Sequence, residues 1–227
     1  MIVLFGGEKG GTGKSTLARN LAVWLTKQGR DVILMDTDLQ RTASHWVDRR
    51  NAMDGLSTVH CTERRGNVFH ALRDLAKRYD EVIVDAGGRD SEELRTALVA
   101  AHKVYVPLKA SQPDIETSVH MNELVNLARA MNSNLKAAAI VSMAPTNPVI
   151  HEADEALDVL TELPALTLSG VIIRERKVYR DAIAEGRGVV EMNNEKAIAE
   201  IEALAKEIYE IQETAEVPHE QIQSTEG

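Results

Sequence analysis

The sequence is 227 residues long, 44% hydrophobic and 27% charged, with 4% aromatics, one cysteine and a formal net charge of −9. That length can bury a core without staples. Cys61 alone excludes a disulfide framework or a Cys-x-x-Cys metal site, and so few aromatics argue against a stacking platform for single-stranded nucleic acid. The charge is lopsided: residues 189–227 carry two lysines against ten glutamates, so residues 1–188 are nearly neutral and a local basic face stays open. From the N-terminus, Ile2-Val3-Leu4-Phe5 reads as a short strand covered on both faces, since it lacks polar alternation. It is far too short to span a bilayer and no basic leader precedes it, so a cytoplasmic protein is expected.

Similar apolar runs predict strands over 32–36, 81–85, 103–107, 137–143 and 166–173, with a short edge strand over 57–61. Helical spacing predicts helices over 15–28, 42–53, 67–78, 91–101, 114–131, 152–163 and 194–214. Strand–helix alternation implies right-handed crossovers and a mostly parallel twisted sheet flanked by helices, a single-domain α/β fold. The domain is expected over 1–214, with a flexible tail over 215–227. In the last helix, Ile198, Ile201, Leu204, Ala205, Ile208 and Ile211 form a packing stripe.

The segment Glu8-Lys9-Gly10-Gly11-Thr12-Gly13-Lys14-Ser15-Thr16 lies between the first strand and the first helix. Glycines there let backbone N–H groups converge on an anion, and the helix N-terminus adds positive potential. Gly10, Gly11, Thr12, Gly13, Lys14, Ser15 and Thr16 are therefore expected to cradle the phosphates of a nucleotide. Lys14 would reach the terminal phosphates and Ser15 would offer its hydroxyl to Mg²⁺. Glu8 stands where the ordinary phosphate loop has its first glycine, and a second lysine, Lys9, follows it. Asp36 and Asp38 close the second strand and are placed for Mg²⁺ and its waters. Asp85 closes the strand Glu81-Val82-Ile83-Val84 and would hold Mg²⁺, with Gly87-Gly88 as a segment sensing the terminal phosphate. Asp114 reads as a helix N-cap. His45 and Cys61 lack partners at ligand or nucleophile spacing and read as packing or surface residues.

Lys9-Gly10-Gly11-x-Gly13-Lys14-Ser15 resembles the deviant Walker A motif of the ParA/MinD family, and the order of the later motifs agrees over nearly the whole chain to about Glu191. The resemblance implies ATP hydrolysis by a homodimer that sandwiches two nucleotides, with Lys9 reaching the partner's nucleotide and Asp38 orienting the attacking water. It also places adenine contacts near 143–148. The basic segment Arg174, Arg176, Lys177, Arg180 and Arg187, followed by Gly-x-x-Val-x-Glu, is similar to small ParF-like plasmid-partition ATPases. In those, such residues bind non-specific duplex DNA, and a small centromere- or cargo-binding partner stimulates hydrolysis, placing the protein on the nucleoid. A solvated charged face is the competing reading. A MinD-like membrane ATPase would need a basic amphipathic C-terminal helix, which Glu200, Glu202, Glu207, Glu210 and Glu213 oppose. An iron–sulfur relative would need paired cysteines, and a metabolic phosphoryl-transfer enzyme is the reading that Lys9 argues against.

Overall fold

The computed structural model describes residues 1–109, 112–146 and 163–211. Seven strands form one parallel sheet in the order β3-β2-β4-β1-β5-β6-β7. They are β1 (Ile2–Phe5), β2 (Val32–Asp36), β3 (His60–Glu63), β4 (Glu81–Asp85), β5 (Lys103–Leu108), β6 (Lys136–Ala144) and β7 (Thr167–Arg174). The central strands β1, β2 and β4 are buried at every position, which explains their unbroken apolar runs. The edge strand lies at 60–63 rather than 57–61, pairing Ile33 with His60 and Asp36 with Glu63.

Helices cover both faces. On one, α1 (Lys14–Lys27), α2 (Thr42–Asn51), α6 (Lys177–Ala184) and α7 (Glu195–Tyr209) enclose a core with Val3, Phe5, Leu21, Leu34 and Trp46. On the other, α3 (Phe69–Leu75), α4 (Glu92–Ala100) and α5 (Gln112–Arg129) pack over Ile2, Leu4, Met35, Val84 and Val106. Helix α5 begins at Gln112, so Asp114 lies inside it rather than at its N-cap. The stripe on α7 buries Ile201, Leu204, Ala205 and Ile208, but the helix ends at Tyr209 with Glu210 left-handed, which leaves Ile211 about half exposed. The helix expected over 152–163, apart from Leu163, and the tail over 215–227 lie outside the described residues. Among the described residues no helix is long and apolar enough to cross a membrane.

Candidate functional site

Strand β1 lies at the centre of the sheet, between β4 and β5, and the glycine-rich loop leaves its C-terminal end. This is where a doubly wound sheet opens a ligand crevice. Gly13 is the N-cap of α1 and contributes no side chain, and no acidic residue occupies the helix's first turn. The first amides of α1 are thus presented to an anion rather than capped from within. Gly13 has φ +98°, and a Cβ there would stand 2.7 Å from Ser142 Oγ, so only glycine fits. Above Gly10 and Gly11 nothing lies within 4 Å of where a Cβ would be, leaving room for a ligand against the main chain.

Lys14 is buried and its Nζ donates to the Lys9 carbonyl at 2.6 Å. Burial pulls its pKa down, opposed by Asp85 and Asp38. Thr12 is buried beside it, with Oγ1 directed at the same carbonyl at 3.4 Å. Ser15 Oγ lies 3.2 Å from Thr42 Oγ1.

Asp85 is fully buried at the end of β4, and among the described residues neither carboxylate oxygen has a hydrogen-bond partner. Burial raises its pKa to about 7; the Asp36 carboxylate adds to this, while Ser15, Arg19 and Lys14 oppose it. Such a carboxylate forms no ion pair among the described residues, and its two unused oxygens near a serine hydroxyl suit the oxygen-ligand chemistry of Mg²⁺.

Asp36 does not share that arrangement. Its Oδ2 accepts from the Ala43 and Ser44 amides at 3.0 and 2.9 Å and from Ser44 Oγ at 3.3 Å, while Oδ1 accepts from the Asp38 amide at 2.9 Å. Asp36 Oδ2 thus fastens the first turn of α2, whose N-cap residue Arg41 makes no side-chain cap bond, while Oδ1 retains acceptor capacity. Asp38 is half-buried on the crevice side, with Oδ1 accepting from the Gln40 amide at 2.9 Å. Gly87 and Gly88 fill the gap between Asp38 and the phosphate loop. A Cβ on Gly88 would come within 3.0 Å of the Gly10 nitrogen, and one on Gly87 within 3.5 Å of Asp38 Cα. The segment after β4 thus touches both phosphate-binding and water-orienting candidates.

Three participants escaped sequence reasoning. Arg19 on α1 is buried and donates Nε to the Ser15 carbonyl at 2.7 Å, placing a fixed cation within electrostatic reach of Asp85 and Asp36. Arg65 donates to the Asp36 and Asp38 carbonyls. His120 on α5 has Nε2 at 3.3 Å from both Glu8 Oε1 and Asp90 Oδ2, and Nδ1 at 3.3 Å from Glu123 Oε2, which raises its pKa. Arg19 stands out in the sequence of α1 as a charge between Lys14 and Lys27, whereas Arg64-Arg65 shows there only as a basic pair that reads as ordinary surface.

The basic segment is less open than its sequence suggests. Arg176 is mostly buried, with Nε and Nη2 donating to Glu200 at 2.9 and 2.7 Å, so the expectation that it faces DNA is corrected. Lys177 pairs with Asp181 and Arg180 with Glu175, both exposed; Arg187 lies 3.5 Å from Glu185, and Arg174 donates to the Pro145 carbonyl. Of the region expected to contact adenine, residues 147 and 148 lie outside the described residues.

The family model for the CobQ/CobB/MinD/ParA nucleotide binding domain matches residues 3–220. The maintenance of carboxysome distribution protein A of Halothiobacillus neapolitanus is 28% identical over 203 residues, 88% of this chain and 92% of that protein. Its namesake from Gloeobacter kilaueensis is 30% identical over 206 residues, covering 88% and 90%. Among solved structures, the ATP complex of a McdA variant from Cyanothece aligns with a TM-score of 0.72 at 15% identity, over 94% of this chain and 98% of that one. The structural likeness is one of fold.

Proposed function

The chain belongs to the CobQ/CobB/MinD/ParA nucleotide-binding family, and from that premise we propose that it is a ParA-type ATPase that positions or segregates a cargo. The observation that carries the reading is Asp85, a buried carboxylate whose oxygens have no hydrogen-bond partner among the described residues, at the end of the strand whose following glycines meet Asp38 and the phosphate loop. In this reading the amides of Gly10–Thr16 and the Lys14 ammonium hold the phosphates of ATP, with Lys14 exchanging the Lys9 carbonyl for phosphate oxygen. Ser15 and Asp85 hold Mg²⁺, which when bound neutralises charge on the phosphates. Asp38 orients the attacking water. Lys9 of a second copy reaches across an ATP-bound homodimer and stabilises charge developing on the terminal phosphate, so hydrolysis depends on dimerisation. The products are ADP and phosphate.

Nucleotide state then acts as a switch. The ATP dimer holds non-specific duplex DNA over the nucleoid, and a small cargo- or centromere-binding partner stimulates hydrolysis and releases it. The two similar proteins named for carboxysome distribution support a cargo-positioning role. A second reading, a positioning ATPase that works on a protein assembly without DNA, is favoured by the loss of Arg176 to Glu200.

The test measures ATP turnover and binding to random-sequence duplex DNA with Mg-ATP, Mg-ADP or no nucleotide, at low and moderate salt. Turnover with ATP-dependent, salt-sensitive DNA binding is expected. Turnover without DNA binding would transfer the protein to the second reading. An absence of turnover in the presence of DNA and candidate cargo partners would remove the ATPase reading.

A further inference from the structure

We infer that Arg65 is a positioning residue for the loop over 36–38, fixing where the Asp38 carboxylate stands relative to the terminal phosphate. The inference rests on the reading of Asp38 given above. Strand β3 pairs with β2 through Asp36 and Glu63, and the chain that leaves β3 passes over the end of β2. There Arg65 donates Nη1 to the Asp36 carbonyl at 3.1 Å and Nη2 to the Asp38 carbonyl at 2.7 Å. Its remaining hydrogen bond goes from Nη1 to the Arg64 carbonyl at 2.8 Å. Arg65 forms no salt bridge among the described residues, so its hydrogen bonds go to main-chain oxygens. A guanidinium is a rigid planar fork, and its two ends set the spacing of two carbonyls in a way that the single point donor of lysine cannot.

The same loop is held from the opposite side. Thr37 donates its amide and its hydroxyl to the Asp85 carbonyl at 3.0 and 3.3 Å. Asp38 therefore stands on a backbone gripped by the metal-binding strand on one flank and, on the other, by the Arg65 guanidinium together with the Arg64 and Arg41 amides. The Asp85 grip belongs to the sheet and remains when Arg65 is removed. The Asp36 and Asp38 carbonyls also accept the Arg64 and Arg41 amides at 3.2 and 3.0 Å, so loss of Arg65 loosens that flank of the loop without unfastening it or touching the phosphate loop, and it should misplace the water-orienting group while sparing nucleotide binding.

The experiment compares wild type, Arg65→Ala, Arg65→Lys, Asp38→Asn and the double variant Arg65→Ala with Asp38→Asn. Arg65→Ala should lower kcat by about tenfold or more with KM for ATP within about twofold. Arg65→Lys should recover little, and it also serves as the test should the alanine variant fail to fold. In the Asp38→Asn background the alanine change should add no further loss, because Arg65 acts through Asp38. Amide exchange over 37–40 without nucleotide should be faster in both Arg65 variants. An unchanged kcat, or a loss that multiplies with that of Asp38→Asn, overturns the inference. Should the wild type hydrolyse no ATP, the functional reading fails on its own, and amide exchange decides the role of Arg65: faster supports it, unchanged overturns it.

Discussion

A carboxylate cut off from solvent is costly when ionised, and at Asp85 burial outweighs the nearby Ser15 hydroxyl and the Arg19 and Lys14 charges, raising its pKa to about 7 against an ordinary value of 3.8. The sign of the resulting pH dependence follows directly. Between about pH 4 and pH 7 the folded chain keeps a proton that the unfolded chain has lost, so stability falls as pH rises through that window. Above pH 7 the full cost of the buried charge is present. Asp85→Asn removes the charge while keeping the shape. Without nucleotide or Mg²⁺ the variant should gain on the order of 1–3 kcal/mol at pH 8 and little at pH 5. Thermal unfolding at the two pH values reads this directly, and an unaltered midpoint at pH 8 would mean that Asp85 is satisfied in solution. The variant should also lose Mg²⁺-dependent ATP turnover, a gain of stability bought at the site of function. The sequence makes Asp85 legible because an apolar strand delivers it to the sheet end where the phosphate loop emerges. Asp36, two residues from Asp38 on an equally apolar strand, looks the same in sequence. Its different role depends on where α2 starts, which tertiary placement decides.

At the scale of elements, α2 joins the crevice to the C-terminal part of the chain. Asp36 fastens its first turn, while at its far end Arg49 donates to the Ile183 carbonyl and Arg50 to the Ser57 and Gly186 carbonyls. Arg50 is wholly buried and meets Glu191 through two hydrogen bonds of 2.8 and 2.9 Å, with its guanidinium carbon 5.7 Å from the Trp46 ring centre. Burial pushes the Glu191 carboxyl up, but Arg50 and the Gly188 amide more than offset this and leave it lowered. Breaking one side of such a pair leaves an uncompensated buried charge. Glu191→Ala should therefore cost about 3–5 kcal/mol, and Tm should fall by roughly 6–20 °C. Circular dichroism melts measure this; a fall below 2 °C would show that water or another group replaces the carboxylate. The sequence displays the Gly-x-x-Val-x-Glu pattern but not its partner, because Arg50 lies 141 positions away. The edge strand lies three residues beyond the expected start because His60-Cys61-Thr62-Glu63 has little apolar signal, and pairing with β2 sets its register instead.

For the whole molecule, the proposed DNA-bound state needs a surface that phosphates can reach. The acidic C-terminal helix turns its apolar stripe inward, and one of its glutamates, Glu200, holds Arg176 against the body. Reversing the charge at Arg176 would thus put two carboxylates together in a mostly buried place and damage the fold rather than report on DNA. Lys177 and Arg180 have side-chain exposures of 79% and 70%, and their partners Asp181 and Glu175 are themselves substantially exposed. Such surface pairs are worth little, so a phosphate can displace the carboxylates at small cost. Lys177→Glu with Arg180→Glu should therefore weaken ATP-dependent binding to random-sequence duplex DNA more than tenfold at low salt. Each lost phosphate contact should flatten the dependence of log K on log salt by about 0.9, so two contacts should remove nearly 2 from the slope. Thermal stability should change by less than about 1 kcal/mol, since both side chains are on the surface. Filter binding across a salt series, alongside a melt, separates the cases. Unchanged affinity and slope in a folded variant would place DNA binding off α6, whereas a weaker affinity with an unchanged slope would point to altered dimerisation rather than lost phosphate contacts.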